Sequence, residues 1–152
     1  MKILTLIVAL VAGVAVLLRL FKAMRPHART VSIADIQRLL VALGSSRKEP
    51  AFAVLLLTDP HNIELQFAVS DGKVGMEWTL LAPNNIKDRA KVTEYCQAAG
   101  YRVHDRTQNR VEYLRVEGAG VSDLGAGLLR TLYGVTPEAP MELIAEGIEW
   151  NP

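Results

Sequence analysis

Cysteine is almost missing from this 152-residue chain, Cys96 being the only one. A single cysteine excludes an internal disulfide and a cysteine-rich zinc site, and in a domain of this size it favours a reducing compartment. No Asn-x-Ser/Thr glycosylation acceptor and no Gly-x-Ser-x-Gly nucleophile elbow occurs. Acids are missing before residue 30, where Lys2, Arg19, Lys22, Arg25 and Arg29 stand without a counter-charge. Bases are missing after Arg130, where Glu138, Glu142, Glu146 and Glu149 are the charged residues.

The last two gaps split a net charge of +1 into opposite ends. Five of the seventeen basic residues precede residue 30, so twelve face all sixteen acids in the remainder, which is near −4. A nucleic-acid binder needs a basic face to displace counterions from phosphate, and this distribution offers none. Arg102, Arg106, Arg110 and Arg115, with Tyr101 and Tyr113 between them, are the nearest approach to one. His104, Asp105, Glu112 and Glu117 are mixed among them, as expected of cross-strand ion pairs.

Charge is also missing from Ile3 to Leu18, where Thr5 is the only polar side chain. A membrane-spanning helix needs about 20 apolar residues. Ile3 to Phe21 supplies that length if Arg19 extends to the headgroups. A cleaved signal peptide is the rival reading, with Gly13-Val14-Ala15 as its cleavage site, but the apolar run continues past it into the basic flank. The expectation is a transmembrane signal anchor over 1–22, a basic juxtamembrane linker over 23–31, and a soluble domain over 32–152. More basic residues follow the span (Arg19, Lys22, Arg25, Arg29) than precede it, which places the domain in the cytoplasm.

Within the domain, Ser32 and Asp35 form a capping-box variant ahead of Ile33, Ile36, Leu39, Leu40 and Leu43 at helical spacing, and Gly44 stops the helix. Phe52 to Leu57 is a continuous apolar run, the pattern of a strand covered on both faces. Ile63, Leu65, Phe67 and Val69 alternate with polar residues, Asp71-Gly72 is a hairpin turn, and Val74, Met76, Trp78 and Leu80 resume the alternation. Asn85 reads as the cap of a second helix ending at Gly100. Tyr101–Arg106 and Arg110–Val116 read as two more strands. Ser122 reads as the cap of a third helix, weakened by Gly125 and Gly127 unless something packs closely there. Pro140 reads as the start of a short helical turn with Glu142, Glu146 and Glu149 on one side. The expected fold is α+β: a five-stranded, mainly antiparallel sheet covered by about three helices, in the order α-βββ-α-ββ-α. That order is similar to small secretion-chaperone-like α+β domains, a likeness of topology that no residue motif accompanies and that implies protein binding.

Catalytic constellations are wanting. His27, His61 and His104 show no spacing that would bring two imidazoles together, and a metal needs three or four convergent ligands. Cys96 falls on an inner helix stripe, where cysteine acts as an apolar filler. Gly118-Ala119-Gly120 before a helix lacks the lysine of a phosphate loop and has Asp123 where phosphate would sit. The expectation is therefore a non-enzymatic accessory or assembly subunit of a larger membrane protein complex. It contacts lipid through residues 3–21, takes no cofactor, metal, nucleic acid or small molecule, and meets its partner through Glu138, Glu142, Glu146, Glu149 and Trp150. The alternatives are a tethered chaperone or peptide-binding module using an open sheet face, and a small membrane-bound hydrolase or ligand-binding enzyme built from Asp59, His61, His104 and Asp105.

Overall fold

The computed structural model describes residues 29–150. The expected anchor, the flanking Arg19, Lys22 and Arg25, and most of the expected linker lie outside the described residues. No helix among the described residues is long and apolar enough to cross a membrane. Seven strands form one antiparallel sheet: β1 (Arg29–Val31), β2 (Phe52–Leu57), β3 (Ile63–Ser70), β4 (Lys73–Thr79), β5 (His104–Gln108), β6 (Val111–Glu117) and β7 (Met141–Glu146). They lie in the order β1-β7-β2-β3-β4-β6-β5. Four α-helices accompany them: α1 (Ile36–Gly44), α2 (Pro83–Lys87), α3 (Arg89–Ala98) and α4 (Val121–Tyr133). The fold is α+β, with two strands and one helix more than expected.

Both additional strands belong to stretches that the sequence disguises. Arg29–Val31, the end of the expected linker, pairs with β7, Arg29 lying opposite Leu143 and Val31 opposite Met141. The expected helical turn after Pro140 is β7 itself, which enters the sheet between β1 and β2. Met141 and Leu143 are buried in the core. Apolar residues at 141, 144 and 148 fit a helix, but those at 141, 143 and 145 fit a strand equally well. A slot between two strands decides the matter by supplying hydrogen bonds on both sides.

One face of the sheet makes the core. Leu55, Leu65, Phe67, Met76, Trp78, Leu114 and Val116 meet Leu39 and Leu43 of α1, Cys96 of α3, and Leu128 and Leu129 of α4. The two weak points of α4 are points of close approach: a Cβ on Gly125 would come within 2.6 Å of the Phe67 ring. Tyr95 abuts Gly127 in the same way. Ser32 caps a 3-10 turn, Ile33–Asp35, that runs directly into α1, its backbone N–H donating to Asp35 Oδ2 at 2.9 Å. The other two expected caps are displaced. Gly120, at positive φ, precedes α4, and Ser122 instead donates its hydroxyl to Gln37 of α1. The second helix begins earlier, at Pro83 in its first turn, and breaks at Asp88. Asn85 is then an internal, fully buried residue.

Candidate functional site

Strand alternation sends the other half of the side chains to the opposite face, which the helices among the described residues leave uncovered. The register aligns them in rows across the sheet. One row runs Ile144, Val54, Gln66, Glu77, Arg115, His104. A second runs Glu146, Phe52, Ala68, Gly75, Glu117. Thr30, Glu142, Leu56 and Glu64 make part of a third. The continuous apolar run of β2 thus has one face in the core and one, through Phe52 and Val54, under this second surface.

A polar network is built into that surface. Arg115 is 3% exposed and Glu77 is 7% exposed, the only buried charged residues among those described. Arg115 donates from Nη1 to Glu77 Oε1 at 2.5 Å, from Nε to Glu117 Oε1 at 2.7 Å, and from Nη2 to the Lys73 carbonyl at 3.1 Å. Gln66 Nε2 donates to the other Glu77 oxygen at 2.7 Å. Gly75 makes the arrangement feasible, because a Cβ there would stand 2.7 Å from the guanidinium carbon. Burial pushes the Glu77 carboxyl above its ordinary range, against the pull of Arg115. Glu117 moves the other way, held below that range by its hydrogen bond from Arg115.

Beside this network the face hollows into a groove of about 180 Å³. Apolar walls come from Phe52, Val54, Ala68 and Leu81, and polar ones from Gln66, Thr79 and Tyr113; Glu64 and Glu77 are the only charged lining residues. Burial raises the Tyr113 hydroxyl as well. The Thr79 hydroxyl oxygen is buried with no hydrogen-bond partner among the described residues. Sequence reading located each of these strands but did not single out Gln66, Glu77 or Arg115 as a unit. The signal was an opposite charge at an open-face position on each of two neighbouring strands, which only the pairing reveals.

The residues singled out from sequence are dispersed. Trp150 is 5% exposed and belongs to the core, with the Arg38 guanidinium 5.0 Å from its ring centre. It is no exposed aromatic anchor, because its apolar ring gains more by packing on the domain. Glu142 and Glu146 lie on the open face of β7 rather than on a helix, so they share a side with Ile144 and not with Glu149 by helical spacing. Glu138 and Glu149 are exposed outside any strand or helix. Arg29 is in β1.

Asp59, His61, His104 and Asp105 do not assemble. His61 packs edge-on against Tyr133 at 5.5 Å, Asp105 accepts from Arg89 at 2.6 Å, and exposed His104 lies opposite Arg115. Among the described residues no three His, Cys, Asp or Glu side chains gather as metal ligands. Cys96 is fully buried, and burial pushes its thiol up to about 11, far from the thiolate a nucleophile needs. Comparison with protein-family models, curated proteins and solved structures gives no match.

Proposed function

We propose that the chain is a non-enzymatic accessory or assembly subunit of a larger membrane protein complex, tethered through residues 3–21 with its domain on the cytoplasmic side. Its uncovered sheet face is the surface that meets the complex. The observation that carries this reading is the asymmetry of the sheet: helices close one face, while the other holds a grooved surface floored by Phe52 and Val54 and braced by Arg115. A rigid, partly apolar surface with fixed polar groups is the usual make-up of a protein contact. The groove also favours the second reading, a tethered peptide-binding module, since a concave apolar floor with a few polar groups accepts an extended segment.

The test is recovery of partners from detergent extracts with the full chain and with Ala68→Trp, which fills the groove from a half-buried position on the open face. Wild type should recover a defined set of membrane proteins, and Ala68→Trp should lose it while melting within a few degrees of wild type. Equal recovery by both would remove the sheet face from the contact.

A further inference from the structure

We infer that the outer edge of β5 receives an extended acidic segment of a partner protein as an added strand. β5 ends the sheet and pairs with β6 alone among the described residues. The Glu112 carbonyl accepts from the Leu80 N–H at 2.9 Å, so the backbone groups of that β6 residue face β4. Alternation then turns those of Val111, Tyr113 and Arg115 toward β5, opposite Gln108, Arg106 and His104. The N–H and C=O groups of Asp105 and Thr107 are left pointing away from the sheet. Every residue of the strand is exposed, so these groups stand open to an incoming backbone.

Charge along this edge selects the occupant. The acids that alternate in sequence with Arg102, Arg106 and Arg110 are spent on other bases. Asp105 and Glu112 both meet Arg89 of α3, at 2.6 and 3.9 Å. Glu117 meets Arg115, and register sets Arg106 opposite Tyr113 rather than opposite an acid. Lys73, which also acts on Glu117, adds a further base, and Glu94 of α3 forms no ion pair. Arg102, His104, Arg106 and Arg110 are exposed, and among the described residues no hydrogen bond or ion pair engages their side chains. An anionic segment therefore meets three uncompensated arginines. A cationic one meets repulsion that no free acid of this hairpin answers.

His104, Arg106 and Gln108 share the open face with Arg115, so alternate side chains of an added strand stand beside them. The acids of the segment belong at those alternate positions. A nucleic acid suits the edge less well, because it has no row of N–H and C=O groups for Asp105 and Thr107. Nor do the hairpin's tyrosines offer free stacking platforms: Tyr101 donates to the Ala119 carbonyl at 2.7 Å, and Tyr113 is half-buried. The edge adjoins the proposed contact groove at Gln108 but does not depend on it.

The experiment titrates the full chain, in neutral-lipid nanodiscs, with three fluorescent decapeptides. One alternates Thr and Glu, one alternates Thr and Lys, and one copies the first with every backbone N–H methylated. The Thr/Glu peptide should bind at least tenfold more tightly than either of the others. Arg106→Glu should lose that binding at least tenfold while melting like wild type, and Ala68→Trp should leave it unchanged. Equal binding of Thr/Glu and Thr/Lys, undiminished binding of the methylated copy, or tighter binding of an oligothymidylate of equal charge would each overturn the inference. Loss of binding with Ala68→Trp would overturn it by moving the peptide into the groove. Absence of all peptide binding would overturn it too, and self-association of Arg106→Ser would then show the arginine to be a guard against edge-to-edge pairing. The two surfaces fail separately, since Ala68→Trp tests the groove and Arg106→Glu the edge.

Discussion

The two faces of one sheet solve the burial problem with different chemistry. On the helix side, Phe67, Met76, Trp78 and Leu114 meet apolar partners, and the surface is closed by α1, α3 and α4. On the other side no helix arrives among the described residues, and the same strands bury Glu77 and Arg115 instead. Apolar packing on the first face depends on shape and area, so it accepts any condition that leaves water a poor solvent for hydrocarbon. The second face depends on matched charge and therefore on protonation. A buried ion pair of this kind is no strong source of stability, since desolvation offsets much of its attraction.

Removing the strand that serves both faces should have the largest effect. A chain ending at Pro140 loses β7, which sits between β1 and β2 and contributes buried Met141 and Leu143, and it loses buried Trp150 as well. The remainder should show no cooperative thermal transition by circular dichroism. A fragment melting near the wild-type midpoint would show the C-terminal segment to be an appendage, as a solvated acidic tail would be.

That comparison also explains how much was legible in the residues. The helix-side core was written in periodicity: α1 at 3.6 residues, the β3–β4 hairpin at two, with Asp71 and Gly72 both at positive φ in the turn. The close packing at Gly125 and Gly127 was legible as a condition, because glycine in a helix interior is costly without a neighbour that needs the space. What stayed hidden depended on partners distant in sequence. Asn85 looks like a helix cap, yet its side chain accepts from the Glu64 N–H at 3.1 Å and donates to the Glu64 carbonyl at 2.8 Å, copying a strand's pairing. Its own carbonyl then accepts the Trp78 indole N–H at 2.9 Å. The candidate site was hidden for the same reason: Gln66, Glu77 and Arg115 are ordinary strand residues until the register brings them side by side.

Arg115→Ala should cost less than the truncation but more than a surface substitution. It takes the guanidinium from Glu77, Glu117 and the Lys73 carbonyl, leaving Glu77 the Gln66 amide alone, and breaking a buried pair by removing one partner costs about 3–5 kcal/mol. The loss should be greatest near neutral pH and smaller in acid, where Glu77 carries a proton and has less need of a cation. Replacing Glu77 and Arg115 together by leucine and methionine should recover most of the stability while erasing partner recovery. If the double variant is as unstable as Arg115→Ala, the network is structural and the contrast between the faces fails. Urea unfolding at two pH values checks both statements.

The smallest expected effect is a change of slope. Glu77 has a folded pKa raised above its ordinary 4.5 by burial, so the folded state holds that proton more tightly than the unfolded state does. Its contribution is fully present below the unfolded value and is lost as pH rises through the folded one. Glu117, lowered by its hydrogen bond from Arg115, behaves oppositely: its contribution is present above the ordinary value and is lost as pH falls through the depressed one. Glu77→Gln should therefore remove the decline in stability on the alkaline side of 4.5. Glu117→Gln should remove part of the decline on the acid side and leave the first limb intact. Glutamine at 77 keeps an oxygen for Arg115 and a shape that fits beside Gln66, so the fold should survive while the slope flattens. Denaturant midpoints measured from pH 3 to 8 read this directly. A Glu77→Gln profile parallel to wild type above 4.5 would mean that Arg115 outweighs burial, and that the open face is insensitive to protonation.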